Sequence, residues 1–103
     1  MGFLERVYEN SLRNSLRKAG HDVSQQLPIS VYFENEIVGE YFADLVVASK
    51  IIIEVKAAEA IAKEHEAQML NYLKATGYEV GLILNFGPKA TFARKALSVV
   101  RSA

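Results

Sequence analysis

Asp44, Glu54 and Lys56 are the charges in this sequence best placed to do chemistry, because each interrupts a run that otherwise reads as buried strand. Tyr41-Phe42-Ala43-Asp44-Leu45-Val46-Val47 and Ile51-Ile52-Ile53-Glu54-Val55-Lys56 are rich in β-branched and aromatic residues, with Ala48-Ser49-Lys50 as a short polar turn between them. A hairpin centred on Ser49 sets Val47 against Ile51, Val46 against Ile52 and Asp44 against Glu54. Directly opposed residues have Cβ atoms about 4.5–5.5 Å apart, and like charges there destabilise a sheet. Lys56 lies two residues beyond Glu54 and so points to the same face. Folding alone gives no reason to oppose two carboxylates beside an ammonium. A metal ion held between them does, and carboxylate oxygens are hard ligands suited to magnesium or manganese.

The elements that must position these residues can be read from periodicity. Phe3, Val7, Tyr8, Leu12, Leu16 and Ala19 recur at helical spacing, and Gly20 is a natural stop. Residues 23–33 read as a strand interrupted at Pro28, which predicts an edge position or a bulge there. Glu34-Asn35-Glu36 is a turn, and residues 37–47 return as a long strand with a bend expected at Gly39. Residues 51–56 form the third strand, residues 59–76 a second helix stopped by Gly77, and residues 80–84 a fourth apolar strand ended by Asn85-Phe86-Gly87-Pro88. The remainder to Ala103 reads as a short helix or an edge strand, and its pattern leaves both open. The order is αβββαβ, an α/β (α+β) arrangement whose last strand returns through a crossover and so runs parallel to its neighbour.

Global properties set modest limits. A chain of 103 residues, half of them hydrophobic, suffices for a single domain with one compact core, expected to span residues 1–103. Twelve Lys and Arg balance twelve Asp and Glu, so there is no overall basic field of the kind that marks a nucleic-acid binder. Local clusters do exist: Arg6, Arg13, Arg17 and Lys18 in the first helix, and Lys89, Arg94, Lys95 and Arg101 near the end. Solvated surface is the simplest reading of both. The absence of cysteine excludes disulfide and thiolate chemistry and fits a reducing compartment. No apolar run approaches the roughly 18 residues of a membrane span, and no signal peptide precedes the fold. Met1-Gly2 opens like a myristoylation signal, but Arg6 stands where Ser or Thr is needed. The expectation is a soluble cytoplasmic protein.

An Asp on one strand and Glu-x-Lys on the next, between an early and a later helix, resembles the PD-(D/E)XK nuclease superfamily. The opening Gly2-Phe3-Leu4-Glu5-Arg6-Val7-Tyr8-Glu9 resembles, more narrowly, the family named for its GxxExxY motif. Ala43-Asp44-Leu45-Val46-Val47, Ile53-Glu54-Val55-Lys56-Ala57, His65-Glu66-Ala67-Gln68-Met69-Leu70-Asn71-Tyr72-Leu73 and Gly81-Leu82-Ile83-Leu84-Asn85-Phe86-Gly87 match in order, from Gly2 to about Lys95. Ala43 stands where the superfamily's name places Pro, a common departure that leaves the Asp intact. Members usually carry a further helix before GxxExxY, so the resemblance implies a short form or a truncated one. It also implies a restriction-endonuclease-like core, a mixed four-stranded sheet flanked by helices.

The resemblance implies a metal-dependent nuclease acting on DNA or RNA. Asp44, Glu54 and Lys56 would be central, with the Val55 carbonyl as a further ligand and Lys56 orienting water or stabilising the pentavalent phosphate. An ion pair with Glu54 or Asp44 is the plainer reading of Lys56. Glu5 shares a helix face with Tyr8, and the family reading turns it into the site as a third metal-proximal carboxylate; on spacing alone it is an exposed first-turn Glu favoured by the helix dipole. Glu9 has a weaker claim. Gln68 and Tyr72 lie four apart on the second helix, where the resemblance implies contact with the site or with substrate; a solvated amphipathic face is the alternative. His65 is a candidate supporting group, and Gln25 and Gln26 carry little weight alone. A second function class stays open, an inactive nucleic-acid-binding or protein-interaction module on the same fold, and a homodimer would enlarge the basic surface of either.

Overall fold

The computed structural model describes residues 2–97 of the chain. The elements run α1 (Phe3–Lys18), β1 (Val23–Phe33), β2 (Glu36–Val47), β3 (Ile51–Lys56), α2 (Lys63–Thr76), β4 (Val80–Phe86) and β5 (Ala90–Ala96). They build one five-stranded sheet in the order β1-β2-β3-β4-β5. Neighbours are antiparallel except β3 and β4, which run parallel across the α2 crossover, as the sequence predicts.

α1 ends where Gly20 enters the left-handed region at φ 94°. The N–H groups of Gly20 and His21 then donate back to the Arg17 and Leu16 carbonyls at 3.0 and 3.1 Å, closing the last turn. Glu5 in its first turn and Arg17 and Lys18 in its last complement the helix dipole. The β1–β2 reversal places Glu34 and Asn35 at positive φ, and the β2–β3 turn does the same at Ala48 and Ser49. Paired left-handed residues match the twist of flanking strands, so both hairpins close tightly.

Two expectations are corrected, the strand count and the start of α2. The sheet has five strands rather than four, because residues 90–96 pair along the whole of β4. Their Ala, Arg and Lys content reads equally as helix, and the open edge of β4 decides for strand. α2 begins at Lys63 rather than at residue 59, although Ala57-Ala58-Glu59-Ala60 favours helix. The side chain of Asn85 both donates to the Ala58 carbonyl and accepts from the Ala58 N–H, each at 2.9 Å, which holds residues 58–60 in a bend and out of a helix. Pro28 does sit on an edge strand, paired with Phe42, but the register shift falls at Val31/Tyr32. Gly39 lies at that shift: it pairs with Val31 while Tyr32 pairs with Ile37, so the irregularity of β2 sits beside the glycine.

The sheet buries both faces. Ile52, Ile83, Val46 and Ile29 pack under Met69, Tyr72 and Leu73 of α2. Leu45, Ile53, Val55, Val23 and Val47 pack under Tyr8, Leu12 and Leu16 of α1. Each such side chain contributes about 1.5–3 kcal/mol of burial. Strand alternation then assigns Glu54 to the α2 face with Ile52, whereas Ala43 and Val46 both reach that face while Leu45 faces α1, so the alternation of β2 breaks at Asp44.

Candidate active site

β2 and β3 keep the register read from the sequence: Val47 pairs with Ile51, Val46 with Ile52 and Leu45 with Ile53. Beyond Leu45 the backbone ladder gives way to side chains. The Val55 N–H donates to Asp44 Oδ2 at 2.8 Å, and the Asp44 N–H donates to Glu54 Oε2 at 3.3 Å. The two carboxylates thus meet where the strands part, 5% and 8% exposed respectively. Burial first, and then the neighbouring Asp44 charge, push the Glu54 carboxyl up to about 9, while Lys56 draws it slightly the other way. At neutral pH the pair therefore holds a proton. A buried site that cannot ionise both its carboxylates is chemically suited to a cation that replaces that proton. Lys56 makes no ion pair with either carboxylate; among the described residues the ion pair is Lys95–Glu66, at 2.8 Å.

A second network supports Asp44 from the β1 side. Gln25 pairs with Leu45 and Leu27 with Ala43, but Gln26 between them lies in the left-handed region at φ 52°. Its Nε2 donates to Asp44 Oδ1 at 3.2 Å and to Glu9 Oε2 at 3.0 Å, so one amide bridges two carboxylates. Gln25 Nε2 donates to Glu9 as well, at 2.6 Å, and Gln25 accepts in turn from Arg13. Glu9 is completely buried on α1. Sequence reasoning undervalued this group. Glu9 could have been found from its place on the stripe of Glu5, Tyr8, Leu12 and Leu16. The two glutamines could not, since regular alternation points neighbours to opposite faces. Only the left-handed Gln26 brings both amides to one acid.

Glu5 takes a different position. It accepts from the Ala57 N–H at 3.4 Å, one residue past Lys56. Asn85 clasps Ala58, and Gly87 packs so closely on the Ala58 backbone that a Cβ would collide with its carbonyl. Together they fix the segment that follows Lys56. Tyr8, on the same helix face as Glu5, stacks on Phe86 with ring centroids 4.6 Å apart. Among the described residues no three acidic or histidine side chains converge on one point, so Asp44 and Glu54 stand as a pair with Glu9 one amide away.

Tyr72 of α2 is buried on the Glu54 face. Burial, then Glu54, then Tyr41 and Asp44 push its hydroxyl up to about 12, so it remains an O–H donor. Gln68, one turn earlier, is exposed and lines a cavity beside Tyr72 rather than the carboxylate pair. His65 turns to its own helix, where Nδ1 accepts from the Ala62 N–H at 3.2 Å. No helix among the described residues is long and apolar enough to cross a membrane.

The sequence matches the PD-(D/E)XK nuclease superfamily over residues 1–96. A search of curated proteins finds no significant match. Among solved structures, the chain is similar to SSO0001, with 16% identity and a TM-score of 0.69 over 93% of this chain and 52% of that one. It is also similar to an alkaline exonuclease from Laribacter hongkongensis, with 14% identity and a TM-score of 0.64 over 90% of this chain and 56% of that one. The chain thus spans about half the length of these two structures.

Proposed function

Since the chain belongs to the PD-(D/E)XK nuclease superfamily, we propose that it hydrolyses phosphodiester bonds of DNA or RNA with a divalent ion, magnesium or manganese, held by Asp44 and Glu54. The observation that carries this is the buried carboxylate pair, in which burial and then the Asp44 charge keep Glu54 protonated at neutral pH. The opening Gly2-Phe3-Leu4-Glu5-Arg6-Val7-Tyr8-Glu9 supports the narrower GxxExxY assignment.

The residues divide the work. Asp44 and Glu54 are the ligands, with the Val55 carbonyl available from the same strand. When bound there, a divalent ion supplies Lewis acidity and lowers the pKa of its water. Gln26 and the Val55 N–H each occupy one Asp44 oxygen and so fix the orientation of that carboxylate. Lys56 brings an ammonium to the same face with no carboxylate neutralising it, suited to hold the attacking water or the charge growing on the phosphate. Glu5 and Asn85 anchor the backbone directly after Lys56, and the Tyr72 hydroxyl stays a donor on that side.

The test is magnesium- or manganese-dependent cleavage of mixed DNA and RNA by the wild type beside Glu54→Ala and Lys56→Ala. Glu54→Ala should lose both cleavage and the rise in melting temperature produced by the metal. Lys56→Ala should keep the metal response and lose cleavage by on the order of 100-fold or more. Equal cleavage by all three proteins refutes the assignment. Metal-responsive folding and salt-sensitive nucleic-acid binding without cleavage would favour an inactive binding module.

A further inference from the structure

Beside Tyr72, α2 and the outer half of the β1–β2 hairpin enclose a cavity of about 760 Å³, lined among others by Tyr32, Tyr41, Gln68, Asn71, Tyr72 and Lys74. Three tyrosines line it. Tyr72 is buried, on the sheet face that carries Glu54. Tyr41 follows, its ring centroid 5.6 Å from that of Tyr72 and inclined at 52°. Tyr41 is 42% exposed and Tyr32 63% exposed, too open to serve the core. Opposite them α2 presents the exposed amides of Gln68 and Asn71 and the exposed ammonium of Lys74. No described carboxylate pairs with Lys74.

Exposed aromatic planes, a cation and hydrogen-bonding amides are the chemistry that binds an unpaired strand, whose bases offer free faces for stacking. Bases inside a duplex are already stacked on each other and leave those rings without partners. A duplex is instead held through its backbone by a stripe of cations, whereas Lys74 is the one cation lining this groove. We propose that this groove binds single-stranded nucleic acid, with bases stacked on Tyr41 and Tyr32 and a phosphate at Lys74, leading the strand toward Asp44 and Glu54. The assignment rests on the nuclease reading for the direction of the strand, and deepens it by naming the substrate class.

The experiment is fluorescence anisotropy of the full chain in EDTA, so that cleavage cannot interfere. The probes are labelled oligothymidylate, labelled oligouridylate and a labelled blunt DNA duplex. Either single strand should bind more tightly than the duplex, and which of the two binds better separates DNA from RNA. Tyr41→Ala and Tyr32→Ala should each weaken single-strand binding by about tenfold, whereas Tyr41→Phe, which keeps the ring, should stay within about twofold. Lys74→Ala should lower the slope of log affinity against log salt by about 0.7. Both tyrosines are substantially exposed, so the alanine variants should fold, as circular dichroism would verify. Duplex binding as tight as single-strand binding, or Tyr41→Ala binding like wild type, overturns the groove. Either result alongside intact Glu54-dependent cleavage leaves the nuclease assignment standing. Tight ring-dependent single-strand binding without metal-dependent cleavage does the reverse.

Discussion

Replacing Glu54 with glutamine should stabilise the metal-free protein at neutral pH while abolishing its response to magnesium. An unfolded glutamate ionises near 4.5, and the folded one near 9. Between those limits the native state binds a proton that the unfolded chain has released, so stability falls as pH rises. The contribution is complete below about pH 4.5 and gone above about 9, with a slope of about 1.4 kcal/mol per pH unit between them. By pH 7 wild type has lost about 3 kcal/mol of it. Glutamine has the same shape, never ionises, and can donate to Asp44 as the protonated carboxyl does. In a chain of 103 residues that difference corresponds to roughly 10–20 °C in melting temperature. Urea denaturation of both proteins in EDTA, from about pH 5 to about pH 8, measures the gap directly. The two stabilities should nearly coincide at the acid end and diverge upward, with the glutamine variant above. A gap independent of pH, or one that closes as pH rises, would show that Glu54 ionises normally. The shared-proton account of the site would then fail. Magnesium should raise the melting temperature of wild type alone.

Glu9→Leu should cost about 2–4 kcal/mol in urea denaturation, because it leaves the Gln25 and Gln26 amides aimed at a buried apolar group; an unchanged midpoint would deny Glu9 its anchoring role. Gly87→Ala should destabilise by about 1–3 kcal/mol, since its Cβ meets the Ala58 backbone, and should depress cleavage further by disturbing the segment after Lys56. Lys95→Ala, by contrast, should change stability by less than about 1 kcal/mol, because its bridge to Glu66 is partly solvated, with the side chains 30% and 33% exposed.

The legible parts of this molecule were those in which charge and periodicity disagreed. Asp44 and Glu54 stood out because a carboxylate in a β-branched run is costly, and the hairpin register that brings them together follows from a short polar turn. The α1 stop at Gly20 and the parallel return of β4 were equally readable, from glycine chemistry and connection length. Strand β5 was not, because its residues suit helix as well as strand and an unpaired edge elsewhere decides. The α2 start was hidden for a related reason: Asn85, 27 positions later, overrides the helix preference at Ala58. Among site residues, Lys56 could be flagged but not distinguished from an ion-paired lysine. Gln26 could not be anticipated at all, since its role depends on one backbone dihedral.

That dihedral bears on how such a protein would change if its chemistry ceased to matter. A non-glycine residue held left-handed costs roughly 1–3 kcal/mol, tolerated while its amide must span Glu9 and Asp44. Once no cation needs that bridge, glycine at position 26 relieves the strain and, Gln26 being only half-buried, lets water take over its bonds to Glu9 and Asp44. Drift would therefore reach Gln26 before the carboxylates, whose loss disturbs packing. Glycine there beside an intact Asp44 and Glu54 would identify a lineage recently retired from catalysis, while its signature motif still looked whole.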